Sequence, residues 1–262
     1  MVVLVDTGTI IKAKRQEAGT SIRQLAAMAN ISPSYLTRIE AGKSDPTTDM
    51  AAKLLTLVGY TLTVQRVTRT PAAIAATRKA CDPAWDGLWN QEAQEWLERY
   101  QRAGWVDLGG QVKPGKRPDL LIRTGVTNPL MHRPGAQRYT PINSADTWLD
   151  MVERLATTGI DYALTGGPAA NQMLPMGGAT DMAVYVTDPK QAADICQLAP
   201  DPTGWAVIAQ FNNIGEIGRY QQATGIYADG VWLANPNQVI IDCAGIPKAG
   251  LDQAEFLTGR RY

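Results

Sequence analysis

Histidine is almost missing from this chain, and cysteine is scarce. The 262 residues hold one histidine, His132, and three cysteines, Cys81, Cys196 and Cys243. A metal cage of Cys and His needs its ligands at close, paired spacings, and no such pattern is present, so neither a metal nor a cofactor is expected. His132 has no carboxylate or cysteine partner in view and is assigned a structural place rather than a catalytic one. An odd cysteine count argues against a disulfide framework and for a reduced, cytoplasmic setting. Long apolar runs are absent too. Nothing approaches the roughly 18 residues of a membrane span, and the opening MVVLVDTGTI lacks the basic start and cleavage site of a signal peptide. No membrane partner is expected.

What is present is a globular composition, 45% hydrophobic and 19% charged, over a length suited to two small domains or three. The net charge of zero conceals a division. Residues 1–80 carry 11 Lys/Arg against 5 Asp/Glu, whereas 81–262 carry 14 against 20. Within the second part, 99–138 has 8 basic and 2 acidic residues, and 139–262 has 6 and 13. Contact with a polyanion is therefore expected of the first half rather than the last.

From Thr7 to Leu62 the pattern is helical with marked breaks. A first helix is predicted from about Thr9 to Ala18, ended by Gly19. Ser21 suits the N-cap of a second, with Leu25, Ala26 and Ala29 on one buried face and Asn30 at its close. Ser32 is the next N-cap, Pro33 takes the first helical position, and Gly42 stops the helix. Thr47 or Thr48 starts a fourth helix with Ala51, Leu54, Leu55 and Val58 inward. If Ile31, Leu36 and Ile39 point in, then Ser34, Tyr35, Thr37 and Arg38 point out. Arginine, an aromatic and short hydroxyls are side chains that suit base edges in a major groove. Thr20, Ser21, Arg23 and Lys43 flank that face and suit phosphates. The segment Gly59–Arg66 alternates like a strand, either pairing two chains or closing a hairpin within one.

The stretch IIKAKRQEAGTSIRQLAAMANISPSYLTRIEAGKSDPTTDMAAKLLTLVGYTLTV resembles the helix-turn-helix domain of the XRE/Cro–cI repressor family. Arg15, Leu25-Ala26 and Glu40-Ala41-Gly42 stand at places typical of that family. The resemblance implies an ion pair between Arg15 and Glu40 that ties the first helix to the third. It departs at Ile22, where many members have a Gln. It also implies double-stranded operator DNA as partner, read by a homodimer on paired half-sites in the bacterial nucleoid.

Residues 67–82 read as a linker or short helix. After it, LWNQEAQEWLERYQRAGW sets Trp89, Ala93, Trp96, Leu97 and Tyr100 on one side of a helix. Two apolar runs follow, Trp105–Leu108 and Asp119–Ile122, separated by GGQVKPGKRP. Helix, strand, basic loop and strand is the order of a winged helix, with Lys113, Lys116 and Arg117 on the wing as further DNA contacts. An ordinary solvated hairpin is the equal alternative. RPDLLI resembles the first half of the PD-(D/E)xK nuclease signature, but no Glu-x-Lys follows to complete it.

The region from Thr147 alternates helices and strands, as a small α/β or α+β domain does. YALTGGPAANQMLPMGGATDMAVYVTD resembles a minimal nucleotidyltransferase, with Gly166-Gly167 opening a helix and Asp181 opening a strand. Two carboxylates on alternate residues are needed to hold two Mg²⁺ ions, and the second place is Ala183. Asp242 alone does not rebuild the pair, so no catalytic residue is assigned and no enzyme is expected. Leu164-Thr165-Gly166, Ala169-Ala170, Val184-Tyr185-Val186 and Asp242 carry a resemblance to AbiEi-type antitoxins, which implies a toxin protein as a second partner.

The expected fold class is mixed α and α+β. An all-α helix-turn-helix domain occupies 1–66, a linker 67–82, a winged-helix segment 83–140, and an AbiEi-like effector or partner-binding domain 141–262. The expected function is a dimeric repressor, autoregulating if it is an antitoxin. The alternatives are a helix-turn-helix-targeted nucleotidyltransferase-like enzyme, or a regulator whose C-terminal domain senses a small molecule.

Overall fold

The computed structural model describes residues 6–63, 71–133, 135–175, 181–211, 217–222, 230–246 and 249–260. The chain divides into two compact units, 1–66 and 67–262.

The first unit is built from α1 (Thr7–Glu17), α2 (Ile22–Ala29), α3 (Pro33–Glu40) and α4 (Thr48–Leu57). Each start has a chemical cause. Ser21 and Gln24 form a reciprocal capping box at α2, Ser32 caps α3 with Pro33 in its first turn, and Thr47 caps α4. Asn30 ends α2 in the left-handed conformation, at φ 59°. Ile11, Leu25, Ala26, Leu36, Ile39, Leu54 and Leu55 close one shared core. Gly8 lets α1 lie against α3, since a β-carbon there would sit 1.9 Å from the Ile39 carbonyl oxygen. The strand expected at Gly59–Arg66 is not formed over 59–63, where no ladder partner engages the backbone, and 64–66 lie outside the described residues.

The second unit opens with α5 (Pro71–Cys81), α6 (Gln91–Arg102) and α7 (Arg117–Thr127), followed by a 3-10 turn at Leu130–His132. A mixed sheet of seven strands follows among the described residues. These are β1 (Gln137–Pro141), β2 (Tyr162–Thr165), β3 (Met182–Val186), β4 (Leu198–Pro200), β5 (Ala206–Gln210), β6 (Tyr220–Gln222) and β7 (Val231–Leu233). Their order across the sheet is β4-β1-β5-β3-β2-β7-β6, with β2 antiparallel to β3 and β3 parallel to β5. The connecting helices are α8 (Trp148–Thr157), α9 (Gly166–Met173), α10 (Pro189–Ile195), α11 (Pro236–Ala244) and α12 (Ala249–Leu257). Every residue of β2 and β3 is buried, which accounts for their unbroken apolar character.

One sequence expectation is corrected here. Asp119–Ile122 is not a strand but the first half of α7, whose start is set by Pro118 in its first turn. Only the isolated bridge Val106–Val112 remains of the expected hairpin. Of the stretch 67–82, residues 71–81 form α5, which is almost wholly buried in the second unit, and 67–70 lie outside the described residues. No helix among the described residues is long and apolar enough to cross a membrane.

Candidate nucleic-acid interface

Helix α3 is anchored by Leu36, Ile39 and Glu40, all buried, and presents Ser34, Thr37 and Arg38 to solvent with Tyr35 half-buried beside them. The anchor is electrostatic as well as apolar. Arg15 Nε donates to Glu40 Oε1 at 2.7 Å and Nη2 to Oε2 at 2.8 Å, while Nη1 reaches the Thr20 carbonyl at 2.9 Å. The Glu40 hydrogen bond outweighs burial and holds the Arg15 guanidinium above its usual pKa. One arginine therefore joins α1, the turn before α2 and the end of α3. Removing one partner of so buried a pair costs on the order of 3–5 kcal/mol. Lys53 Nζ adds a bond to the Ala29 carbonyl at 2.7 Å, fixing the turn between α2 and α3. A rod held at both ends presents its outer face in one orientation.

The hydroxyls on that face are already partly committed. Ser32 Oγ accepts the Tyr35 N–H at 3.2 Å and lies 3.1 Å from Ser34 Oγ. Thr37 Oγ1 donates to the Pro33 carbonyl at 2.8 Å. Its proton is spent, so the exposed Thr37 hydroxyl offers solvent an acceptor, the complement of an amino group such as those of adenine and cytosine. Arg23, Arg38 and Lys43 are exposed and have no ion-pair partner among the described residues. Arg38 sits on the reading face, whereas Arg23 lies in the first turn of α2 and Lys43 just beyond α3. Thr20, Ser21, Ser32 and Pro33 lie at the two helix starts, where first-turn N–H groups favour a phosphate oxygen. Gln24 was not singled out from the sequence, although Ser-x-x-Gln at 21–24 signals it. Its Oε1 accepts the Ser21 N–H at 2.9 Å, leaving the amide nitrogen exposed beside Arg23.

The remaining expected contacts lie in the second unit. Lys113 and Lys116 are exposed in the turn leading into α7. Arg117 is not on a wing tip. It is the first residue of α7, and its Nη2 donates to Asn237 Oδ1 at 2.7 Å. Asp119 of the nuclease-like RPDLLI is paired with Arg260.

The nucleotidyltransferase-like stretch lies on β2, α9 and β3. β2 runs into Gly166, which has φ 68°, and the Gly167 N–H meets the Asp181 carbonyl at the start of β3. The Asp181 carboxylate is engaged by Arg138 at 2.6 Å, and Ala183 is buried without any donor atom. Asp242 is fully buried elsewhere, accepting from Arg133, Tyr185, Gln238 and Thr165 at 2.9–3.0 Å. Burial pushes its pKa upward and these four donors oppose that shift. Among the described residues no group of three or more His, Cys, Asp or Glu is arranged to hold a metal ion.

Residues 11–65 match the helix-turn-helix family model. The matched span coincides with the four-helix unit from within α1 onward. No curated protein and no solved structure matches the chain. The first unit is a helix-turn-helix domain, and the protein is a DNA-binding transcriptional regulator.

Proposed function

We propose that the protein is a sequence-specific repressor that binds its operator as a homodimer. The observation that carries this is the outer face of α3, with Ser34, Thr37 and Arg38 solvent-facing on a helix locked from behind by Arg15 and Glu40. One recognition helix spans only a few base pairs, so useful specificity requires two half-sites and a two-fold pair of chains. The exposed cations of this unit supply the phosphate attraction on which any such reading depends. Nuclease footprinting on DNA flanking the gene tests the proposal. Two protected half-sites centred about 10 base pairs apart, or a multiple of that, are expected. A single unpaired half-site would contradict the dimer.

The second unit in this proposal regulates rather than catalyses. Arg138 occupies the one carboxylate of the nucleotidyltransferase-like outline, and Ala183 supplies no second one. A strand–Gly-Gly–helix–strand outline emptied of metal ligands also favours a second reading, an autoregulating antitoxin of the AbiEi type whose C-terminal region engages a toxin. Cytoplasmic action on the nucleoid follows from an operator target.

A further inference from the structure

The second unit contains a cavity of about 140 Å³ that neither DNA reading nor the nucleotidyltransferase-like outline uses. α5 forms one wall, bringing Arg78 out of the alanine-rich run PAAIAATRKAC. β3 and α11 contribute Tyr185 and Gln238, Arg133 comes from the turn after Leu130–His132, and Trp85 and Phe211 supply apolar surface.

Arg78 is the anomaly. It is 1% exposed, yet it has no carboxylate in hydrogen-bond contact among the described residues. Its Nη1 donates to Gln238 Oε1 at 3.0 Å and to the Ile217 carbonyl at 3.2 Å. Nε and Nη2 have no hydrogen-bond partner among the described residues. Those two atoms form the side edge of the guanidinium, the fork that engages both oxygens of a carboxylate or two oxygens of a phosphate. Burial lowers the Arg78 pKa to about 10, so the group is still cationic at neutral pH. Arg133 lines the same cavity. One side of it holds Asp242 through Nη2, while its own buried Nε is likewise without a partner. A buried cation with open donors costs several kcal/mol unless something answers it. The Asp242 charge favours the cation from a distance and the Trp85 ring lies 5.7 Å from it, but neither fills the donors, since the Asp242 oxygens are taken by Arg133, Tyr185, Gln238 and Thr165.

The geometry points to a binding site for a compact organic oxyanion, a carboxylate or phosphate ester on a small apolar or aromatic body, that answers the Arg78 guanidinium. Arg78 and Arg133 line the cavity as the cations that meet the oxyanion, and Phe211 with Trp85, whose ring lies 5.7 Å from the Arg78 guanidinium, lines the space for the body. A volume near 150 Å³ accommodates a benzene-sized group, which sets the scale of the body. The site lies entirely within the second unit and does not depend on the operator proposal.

Thermal unfolding and calorimetry of the full chain with benzoate, phenyl phosphate and neutral benzyl alcohol test the inference. Saturable stabilisation by benzoate, phenyl phosphate or both is expected, with none from benzyl alcohol at equal concentration. Whichever anion binds identifies carboxylate or phosphate as the chemistry. Arg78→Met is expected to weaken that anion by roughly tenfold or more, the scale of a lost charge-assisted hydrogen bond. Ala75→Phe fills the cavity while leaving Arg78 in place, and is expected to abolish binding if Arg78→Met fails to fold. Absence of saturable binding by both anions up to about 10 mM would overturn the inference. So would equal stabilisation by benzyl alcohol, or unchanged anion affinity in the folded variants. A preparation that shifts operator DNA yet binds neither anion sinks this site alone.

Discussion

Arg38 and Lys43 are both exposed cations at one end of the helix-turn-helix unit, but their positions give them different work. Arg38 projects from the α3 face beside Thr37, whose hydroxyl proton is held by Pro33. Lys43 follows Gly42, outside the helix, and only its backbone is tied back, to the Arg38 carbonyl at 2.8 Å. Arg38→Ala is expected to cost about 1–3 kcal/mol on the cognate operator and to relax specificity at one base pair. Lys43→Ala is expected to weaken all duplexes alike and to reduce the salt slope of binding by about one. Fluorescence anisotropy over a salt series, with cognate and unrelated duplexes, separates the two. Equal cognate affinity for wild type and Arg38→Ala would remove Arg38 from the reading face. Burial pushes the Cys81 and Cys196 thiols up to about 11, so neither is a ready nucleophile at neutral pH.

At the scale of elements, β2, the Gly166-Gly167 turn, α9 and β3 keep the order of a nucleotidyl-transfer core. Arg138 neutralises Asp181 there, and Ala183 lies opposite Thr165 in the β2–β3 ladder. No labelled product is therefore expected when the protein is incubated with radioactive nucleoside triphosphates and Mg²⁺ or Mn²⁺. Labelling that Asp181→Ala abolished would contradict this. How legible such elements were depends on the range of the signal. Ser21, Ser32 and Thr47 act within four residues of their own positions, so all three helix starts were readable. The Arg15–Glu40 pair spans 25 residues and became readable only through the family resemblance. Asp119–Ile122 reads as a strand from sequence because a short apolar run suits a buried strand and a buried helix equally. The Pro118 that decides between them looked like part of the loop. Arg78 and Gln238 meet across 160 residues, and Arg133 and Asp242 across 109, a separation no local pattern records.

For the whole molecule, charge is unevenly divided along the sequence. Of the excess of six basic charges in residues 1–80, three fall on the helix-turn-helix unit and three on 67–80, while 139–262, within the second unit, is acidic. Phosphates repel an acidic stretch such as 139–262, so duplex binding is expected of the basic helix-turn-helix unit rather than of that stretch. The protein is thus expected to prefer one sequence strongly rather than coat DNA in general. The most direct test is the affinity of the purified full chain for its own promoter fragment against a shuffled duplex of equal length, at moderate ionic strength. Preference for the promoter by roughly a thousandfold or more, the low end for specific regulators, is the predicted result. Equal affinity for the two duplexes would contradict the account.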